Sequence, residues 1–165
     1  MLYNDTYNGP HGAMLLVATG ERLSGVYFKG QKYFPAADKQ GKRDPVHAPL
    51  KQAKRELIEY FAGRRERFGV KLDPEGTPFQ RSVWKAIAAV RYGETITYGE
   101  LARRAGHPGS PRAAGAATGR NPISIIVPCH RILGANGSLT GYAGGIGRKS
   151  ALLALEGNGR ERLAA

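Results

Sequence analysis

The stretch Ile123-Ser124-Ile125-Ile126-Val127-Pro128-Cys129-His130-Arg131 contains the only cysteine of the 165-residue chain. Its β-branched and apolar residues predict a strand, which Pro128 ends because proline lacks an amide hydrogen and fixes φ. His130 and Arg131 follow Cys129 directly, and such neighbours favour the thiolate, the nucleophilic form of sulfur. The alternative is a small buried hydrophobic residue, as a lone cysteine often is. The tetrapeptide alone therefore makes Cys129 a candidate nucleophile and no more.

The composition predicts a soluble protein of a reducing, cytoplasmic compartment. The length suits one domain or two small ones. One cysteine excludes an intramolecular disulfide framework and a Cys-rich zinc site. The first 25 residues contain no basic-then-apolar signal segment, and no stretch approaches the roughly 20 apolar residues of a membrane span.

The charge is strongly positive and unevenly distributed. The formal net charge is +12, of which residues 1–76 contribute +4 and residues 77–165 contribute +8. The excess therefore lies in the part of the chain that contains the cysteine. A basic surface attracts polyanions such as nucleic acid, although a solubilising surface would have the same composition.

Residues 1–76 predict a small α/β domain. Short apolar runs alternate with turn residues over positions 1–34, which indicates an antiparallel meander of three strands. Residues 35–48 read as a loop. A helix is predicted from Pro49 to Gly63, followed by a short strand over Phe68–Leu72. The cluster Asp73-Pro74-Glu75-Gly76 is the predicted domain boundary.

Residues 77–165 predict a mostly helical domain. Thr77-Pro78 has the form of a helix start, with a capping residue before proline. Two shorter helices follow, over Tyr98–Ala105 and from Pro111 to about Thr118, the second capped by Ser110. Because a tight Gly/Pro turn joins these two helices, they match the helix-turn-helix pattern.

The second of these helices has an unusual composition. One long cation is followed by small residues: Arg112, Ala113, Ala114, Gly115 and Ala116. Small side chains allow close approach of a backbone, and a lone arginine could enter a base stack. Tight packing of the helix inside the protein explains the same residues, so both interpretations stand.

Several further motifs occur in the same order as in one protein family. They are Tyr98-Gly99-Glu100-Leu101-Ala102, Arg112-Ala113-Ala114-Gly115, Asn121-Pro122, Pro128-Cys129-His130-Arg131, Gly141-Tyr142-Ala143-Gly144-Gly145 and Leu152-Leu153-Ala154-Leu155-Glu156. With them the chain resembles the O6-alkylguanine-DNA alkyltransferases, also called methylated-DNA–protein-cysteine methyltransferases. The resemblance is specific over residues 77–165 and weak over residues 1–76. It implies an α+β protein with a ribonuclease H-like N-terminal domain and a winged-helix or helix-turn-helix C-terminal domain.

The resemblance also implies direct-reversal DNA repair. A member of this family binds duplex DNA from the minor groove, and the damaged base rotates out of the stack into a pocket. The alkyl group on O6 of guanine, and on O4 of thymine, then passes irreversibly to the cysteine, here Cys129. No cofactor is implied. The partner is duplex DNA containing O6-alkylguanine, and the protein is expected to be a monomer, with cooperative binding along DNA left open.

The resemblance gives individual residues their expected roles. His130 and Glu156 match the relay that removes the thiol proton through a water molecule. Tyr98 matches the phenol that donates to the departing guanine, and Asn121 matches an amide that braces the site. Arg112 matches the finger that fills the vacated space in the duplex, on a helix whose residues Ala113, Ala114, Gly115 and Ala116 would lie in the groove.

The base pocket implied by the resemblance is lined by Tyr98, Cys129, Ile132, Tyr142, Ala143 and Gly144. The carbonyl groups of Cys129 and Ile132 match acceptors for the guanine amino group, and the amide of Ala143 matches a donor to O6. Some relatives have serine at the position of Ala143, so its hydroxyl is absent here. A phosphate-loop interpretation of this glycine-rich segment fails because no Lys-Ser/Thr pair follows at the required spacing.

Besides a single-turnover alkyltransferase, two other functions are alternative hypotheses. A binding-only relative would recognise alkylguanine without repairing it, but such relatives lack the acceptor thiol. A DNA-binding regulator would leave Tyr98, His130 and Glu156 without a role. Certain family members hold a structural zinc in the N-terminal half with Cys and His ligands. This chain has no cysteine there, so no metal is predicted.

Overall fold

The computed structural model describes residues 1–157. The chain divides into two compact units. The first consists of Met1–Glu75 and Pro122–Ser124, and the second of Gly76–Asn121 and the chain from Ile125 onward. No helix among the described residues has the length and apolar character needed to span a bilayer.

The first unit is a four-stranded sheet with one long helix. The strands are β1 (Leu2–Gly9), β2 (Gly12–Thr19), β3 (Arg22–Phe28) and β4 (Lys42–Arg43), in the order β3-β2-β1-β4. The first three form the predicted antiparallel meander, whereas β4 pairs in parallel with β1. Helix α1 (Ala48–Phe61) follows. Its apolar side chains at Leu50, Ala53 and Leu57 are fully buried, as helical spacing predicts.

Two predictions for the first unit are wrong. The predicted loop over residues 35–48 contains β4 and a short 3₁₀ turn, Ala37–Lys39. The predicted strand Phe68–Leu72 is absent, and Leu72 makes only an isolated bridge with Leu23. The reason is that the amides of Gly69 and Val70 donate to Glu56 Oε1, at 3.0 and 3.1 Å, and not to a neighbouring strand.

The described part of the second unit contains four helices and a two-stranded parallel sheet. These elements are α2 (Pro78–Ala88), β5 (Ile96–Thr97), α3 (Tyr98–Arg104), α4 (Pro111–Gly119), β6 (Ile132–Leu133) and α5 (Ile146–Leu155). Thr77 caps α2 through a reciprocal pair of hydrogen bonds with Gln80, which confirms the predicted start. The predicted helices α3 and α4 are also present. Ser110 occupies the N-cap position of α4, but its side chain makes no capping hydrogen bond.

The strand predicted before the cysteine is not formed. Ile123 makes one bridge with Val26, and the following residues turn, with Ile125 in the left-handed region at φ 72°. This run is apolar because the turn is buried, with Ile125 only 1% exposed. A continuous apolar run does not distinguish a strand from other buried structure. Cys129–Arg131 then forms a 3₁₀ turn.

Candidate active site

Cys129 is buried, and its sulfur is held by a neighbouring amide. Asn121 Nδ2 donates to the Sγ atom at 3.2 Å and to the carbonyl oxygen of Val127 at 2.8 Å. One nitrogen therefore fixes both the sulfur and the turn before it. Cys129 is 6% exposed.

The expected lowering of the thiol pKa by adjacent cations is wrong for this resting structure. Burial is the largest influence and raises the pKa of Cys129, while the Asn121 hydrogen bond and the charge of Lys149 lower it. The side chains of His130 and Arg131 donate to Glu156 instead of the sulfur. Cys129 therefore rests as a thiol at neutral pH and requires a base before it reacts.

His130, Arg131 and Glu156 form a buried cluster. His130 Nε2 lies 2.8 Å from Glu156 Oε2. Arg131 holds both carboxylate oxygens, with Nε to Oε1 at 2.8 Å and Nη2 to Oε2 at 2.9 Å. Its Nη1 donates to the carbonyl oxygen of Val90 at 2.7 Å. This two-pronged geometry fixes the carboxylate that in turn orients the imidazole.

Burial and the neighbouring charges keep the imidazole of His130 neutral. Burial favours a raised pKa for Glu156, but hydrogen bonds and charges from His130 and Arg131 lower it to about 2. Burial lowers the pKa of His130, which Glu156 only partly offsets. We therefore assign a neutral imidazole whose Nε2–H donates to an ionised Glu156. Its Nδ1 is buried and has no hydrogen-bond partner among the described residues, so its lone pair is available for a proton.

Tyr98 approaches the cysteine because of the short parallel sheet. Strand β5 ends directly before Tyr98, and β6 directly follows the Cys129 turn, with Ile96 paired to Ile132. Burial raises the pKa of Tyr98, a hydrogen bond with Thr140 lowers it, and the charge of Cys129 raises it further. The phenol therefore keeps its proton at neutral pH and can donate it.

The predicted pocket residues after the cysteine are buried or half-buried. Tyr142 and Ala143 are half-buried, and Gly144 is buried. The carbonyl oxygen of Cys129 accepts from the amide of Ile132, and that of Ile132 accepts from Lys149 Nζ at 2.6 Å. A carbonyl oxygen has two lone pairs and can accept a second hydrogen bond.

Helix α4 presents one face to solvent. Arg112, Ala113 and Ala116 are exposed, and Gly115 is half-buried. Ala114 was expected in the DNA groove, but it is fully buried and packs inside the unit. Helical spacing explains this difference, since residues three and four apart share a face and Ala114 lies on the opposite one. Arg112 makes no hydrogen bond or ion pair within residues 1–157.

Sequence reasoning missed Lys149, which is fully buried on α5. Its Nζ donates to the carbonyl oxygens of Ile132 and Thr140. The signal was its spacing, because Lys149 precedes Leu152, Leu153 and Glu156 by three, four and seven residues on one helix face. A lysine on the apolar face of a helix is unusual enough to deserve a functional explanation. Among the described residues no three His, Cys, Asp or Glu side chains are grouped as a metal site requires.

Both units match one protein family. Residues 78–158 match the family described as 6-O-methylguanine DNA methyltransferase, DNA binding domain, and residues 2–74 match its ribonuclease-like domain. A methylated-DNA–protein-cysteine methyltransferase of Methanosarcina acetivorans is 48% identical over 158 residues, covering 95% of this chain and 99% of that protein. One from Mycobacterium bovis is 46% identical over 156 residues, covering 94% and 93%.

Solved structures agree with these matches. A crystal structure of Mycobacterium tuberculosis O6-methylguanine methyltransferase has a TM-score of 0.86 and 47% identity, covering 94% of this chain and 93% of that one. A structure of the M. tuberculosis OGT in complex with DNA has a TM-score of 0.86 and 45% identity, covering 93% and 92%. The α+β fold expected from the sequence is thereby confirmed. The chain belongs to the 6-O-methylguanine DNA methyltransferases, the methylated-DNA–protein-cysteine methyltransferase family.

Proposed function

We propose that this protein repairs duplex DNA by moving an alkyl group from O6 of guanine, or O4 of thymine, to Cys129. The observation that carries the proposal is the unpaired Nδ1 of a buried, neutral His130 whose other nitrogen is held by Glu156. This imidazole belongs to the residue that directly follows the only cysteine of the chain. The arrangement of nucleophile, base and orienting carboxylate is the one that covalent catalysis needs.

The reaction begins with the loss of the thiol proton. We assign the transfer of this proton from Cys129 Sγ to His130 Nδ1 to an intervening water molecule, as the family resemblance implies. Glu156 stabilises the imidazolium that forms, and Asn121 Nδ2 stabilises the thiolate by donating to it. The sulfur then attacks the alkyl carbon in line with the C–O6 bond. A carbon–sulfur bond forms as that bond breaks.

The departing guanine takes both electrons of the broken bond and needs a proton. Tyr98 is protonated because its pKa is raised, and the charge of a Cys129 thiolate contributes to that rise. We therefore assign it as the donor to the base, with the proton on His130 restoring the balance through solvent. The products are guanine and a thioether, which is a poor leaving group. Each protein molecule consequently acts once.

Helix α4 is the proposed contact with the DNA minor groove. Arg112, Ala113 and Ala116 form its exposed face, on which one cation stands among small side chains. The inner face is close to the reaction site, since a Cβ atom at Gly115 would lie 3.6 Å from the ring of Tyr98. A base rotated out beside Arg112 would therefore have a short path to the pocket. The M. tuberculosis OGT, a relative of this chain, has been crystallised with DNA.

The wider assignments follow from the same proposal. Residues 77–165 bind DNA and accept the alkyl group, and residues 1–76 support them. Residues 158–165 lie outside the described part of the chain. We propose a cytoplasmic monomer that needs neither metal nor cofactor.

Mass spectrometry tests the proposal directly. Equimolar protein and duplex DNA containing one O6-methylguanine are mixed, and the protein is digested with trypsin. The peptide from Asn121 to Arg131 contains Cys129 and should gain the mass of one methyl group, with the lesion lost from DNA in the same amount. The Cys129→Ala variant should leave the lesion intact. An unmodified peptide beside intact lesion would reject alkyl transfer and leave a binding-only or regulatory function.

A further inference from the structure

Three residues shortly before the cysteine belong to the first unit. Pro122–Ser124 group with Met1–Glu75, whereas Asn121 before them and Ile125 after them belong to the second unit. The chain therefore leaves the second unit for three residues and returns to it four residues before Cys129. The three residues are not a surface loop, because the last two of them are at most 2% exposed.

Pro122–Ser124 lies as an added strand along the edge of the four-stranded sheet. Strand β3 is an edge strand in the order β3-β2-β1-β4. On its outer side the amide of Val26 donates to the carbonyl oxygen of Pro122 at 2.9 Å, and the carbonyl oxygen of Val26 accepts from the amide of Ser124 at 3.0 Å. Ile123 lies opposite Val26 in a parallel bridge. Adding a segment to an open sheet edge holds that segment by its backbone.

Both neighbours of the added strand lead to the sulfur. Asn121 Nδ2 donates to the carbonyl oxygen of Val127 and to Cys129 Sγ. It thereby closes residues 121–127, which we call the active-site loop. Within this loop Ile125 has a φ of 72°, a conformation that a β-branched residue keeps only where the surrounding structure imposes it. The loop is therefore held at both ends against backbone strain.

We propose that the outer edge of β3 positions the nucleophile by holding Pro122–Ser124, with Val26 as the positioning residue. This inference rests on the proposed function of Cys129. Val26 acts through its backbone and does not touch the reacting atoms. Its two hydrogen bonds keep the active-site loop closed against the strain at Ile125, and the closed loop keeps Asn121 at the sulfur. The first unit thus has a specific part in the reaction.

A second hydrogen bond on the same edge offers a matched control. The amide of Leu23 donates to the carbonyl oxygen of Lys71 at 2.9 Å, and Leu23 forms a parallel bridge with Leu72 as Val26 does with Ile123. Both donor residues on β3 are fully buried. The segment around Leu72 lies within the continuous part of the first unit. Loosening it should therefore leave the active-site loop closed.

Replacing an amide by an ester tests the proposal, because it removes one N–H donor and keeps the side chain. One variant carries the ester at Val26, and the control carries it at Leu23. Hydrogen exchange measured by NMR follows the amide of Cys129, which donates to the carbonyl oxygen of Val127 at 2.8 Å. The Val26 ester should accelerate this exchange by about 3- to 10-fold, the effect of one lost hydrogen bond on an opening equilibrium. The Leu23 ester should leave it unchanged.

A second measurement follows the thiol itself. Since Cys129 is buried, its alkylation by iodoacetamide should depend on opening of the active-site loop, so the Val26 ester should accelerate it by about the same 3- to 10-fold. The rate with free O6-benzylguanine should not rise, because that reaction needs the closed loop and its pocket. If the Val26 ester does not fold, Ile123→Ala loosens the added strand instead. Ile123→Val is then the conservative variant and should restore most of the wild-type behaviour.

The outcomes distinguish this inference from the proposed function. Equal acceleration by both esters would overturn the role of Val26, because the edge of β3 would then only stabilise the first unit. No acceleration by either ester, or a rate with O6-benzylguanine that rises in parallel, would overturn it as well. Selective acceleration by the Val26 ester would support the positioning of Cys129 even if no methyl group reached it from duplex DNA. That last result would reject the proposed alkyl transfer alone.

Discussion

Two buried glutamates, one in each unit, show how differently a helix can use the same side chain. Glu56 on α1 is 2% exposed, and Glu156 after α5 is 6% exposed. Glu56 accepts from the amides of Gly69 and Val70 and from Gln52 Nε2 at 3.1 Å. Glu156 accepts from His130 and Arg131. Each carboxylate is well satisfied, as a buried charge must be.

The two glutamates differ in the chemistry of the groups that donate hydrogen bonds to them. The donors to Glu56 are backbone and amide groups that cannot exchange a proton near neutral pH, so the result is a fixed loop. One donor to Glu156 is an imidazole with a second nitrogen that has no partner within residues 1–157. A buried glutamate can thus either hold a loop in place or orient an imidazole that accepts a proton, and the identity of its donors decides between the two.

Replacing each glutamate by glutamine gives the largest expected contrast. Glu156→Gln leaves Arg131 buried without its counter-charge, which should destabilise the fold by about 3–5 kcal/mol. It also removes the orienter of the base, so the rate of methyl transfer per folded molecule should fall at least about 100-fold. The checks are urea denaturation and single-turnover kinetics with O6-methylguanine duplex.

Glu56→Gln is the matched control. Its oxygen can still accept from Gly69 and Val70, while the contacts on the other oxygen are lost, so we expect about 1–3 kcal/mol of destabilisation. The transfer rate per folded molecule should be unchanged. Equal rate losses in the two variants would mean that Glu156 is merely structural.

Acid stability should be the next largest difference. The pKa of Glu156 falls from 4.5 to about 2 in the folded protein, so the unfolded chain binds this proton first as the pH falls. The corresponding stability, at most about 3 kcal/mol, is complete above pH 4.5 and is lost as the pH falls toward 2. The lowered pKa of His130 acts in the same direction below its ordinary value of 6.5.

Urea denaturation at a series of pH values measures this effect. Glu156→Gln should flatten the loss of stability between pH 4.5 and 2, whereas Glu56→Gln should retain it because Glu156 is still present. If the wild-type protein and Glu156→Gln lose stability in parallel over this range, Glu156 is not an ionised partner of His130 and Arg131.

Much of the fold and of the candidate site was predictable from the sequence, and the parts that were not have a physical reason. Helical spacing and capping residues gave α1 to α4 because those signals are local. The order of motifs gave the family and the candidate site. The turn at Ile123–Val127 was not predictable, because a buried turn and a buried strand are equally apolar. The raised pKa of Cys129 was missed for a related reason, since its main cause is burial in the folded protein, which the neighbouring sequence does not reveal.

A second comparison between the two units uses one exposed arginine from each. Arg112 on α4 and Arg55 on α1 are both exposed. Arg112→Ala should slow repair of duplex DNA by about 10- to 100-fold, because rotating a base out costs a few kcal/mol that the finger would offset. Reaction with free O6-benzylguanine should be unaffected, since that substrate is already outside a duplex. Single-turnover rates on the two substrates measure the ratio.

Arg55→Ala is the control for this second contrast. It removes the same charge from the other unit and should leave the ratio of the two rates unchanged. A loss of equal size on both substrates in Arg112→Ala would contradict the finger role and indicate damage to the pocket.

The smallest expected effects come from changing the arginines beside the two glutamates, which are Arg131 beside Glu156 and Arg65 beside Glu56. Arg131→Lys keeps a positive charge near Glu156 but cannot hold both oxygens and the Val90 carbonyl together. One buried hydrogen bond is lost, which should cost about 1–2 kcal/mol. Arg65 lies 3.7 Å from Glu56 and is 28% exposed, so Arg65→Lys should cost less than about 1 kcal/mol. Urea denaturation measures both.

The same two substitutions show whether the transfer rate depends on the two-pronged geometry of Arg131 or only on its positive charge. If the fork of Arg131 fixes the carboxylate that orients His130, Arg131→Lys should slow methyl transfer by more than its stability loss explains, measured per folded molecule. Arg65→Lys should not change the transfer rate, because the groups that donate to Glu56 are backbone amides and Gln52 and not an imidazole. A wild-type transfer rate in Arg131→Lys would show that one positive charge beside Glu156 is sufficient. The two-pronged geometry would then contribute to folding and not to the chemistry.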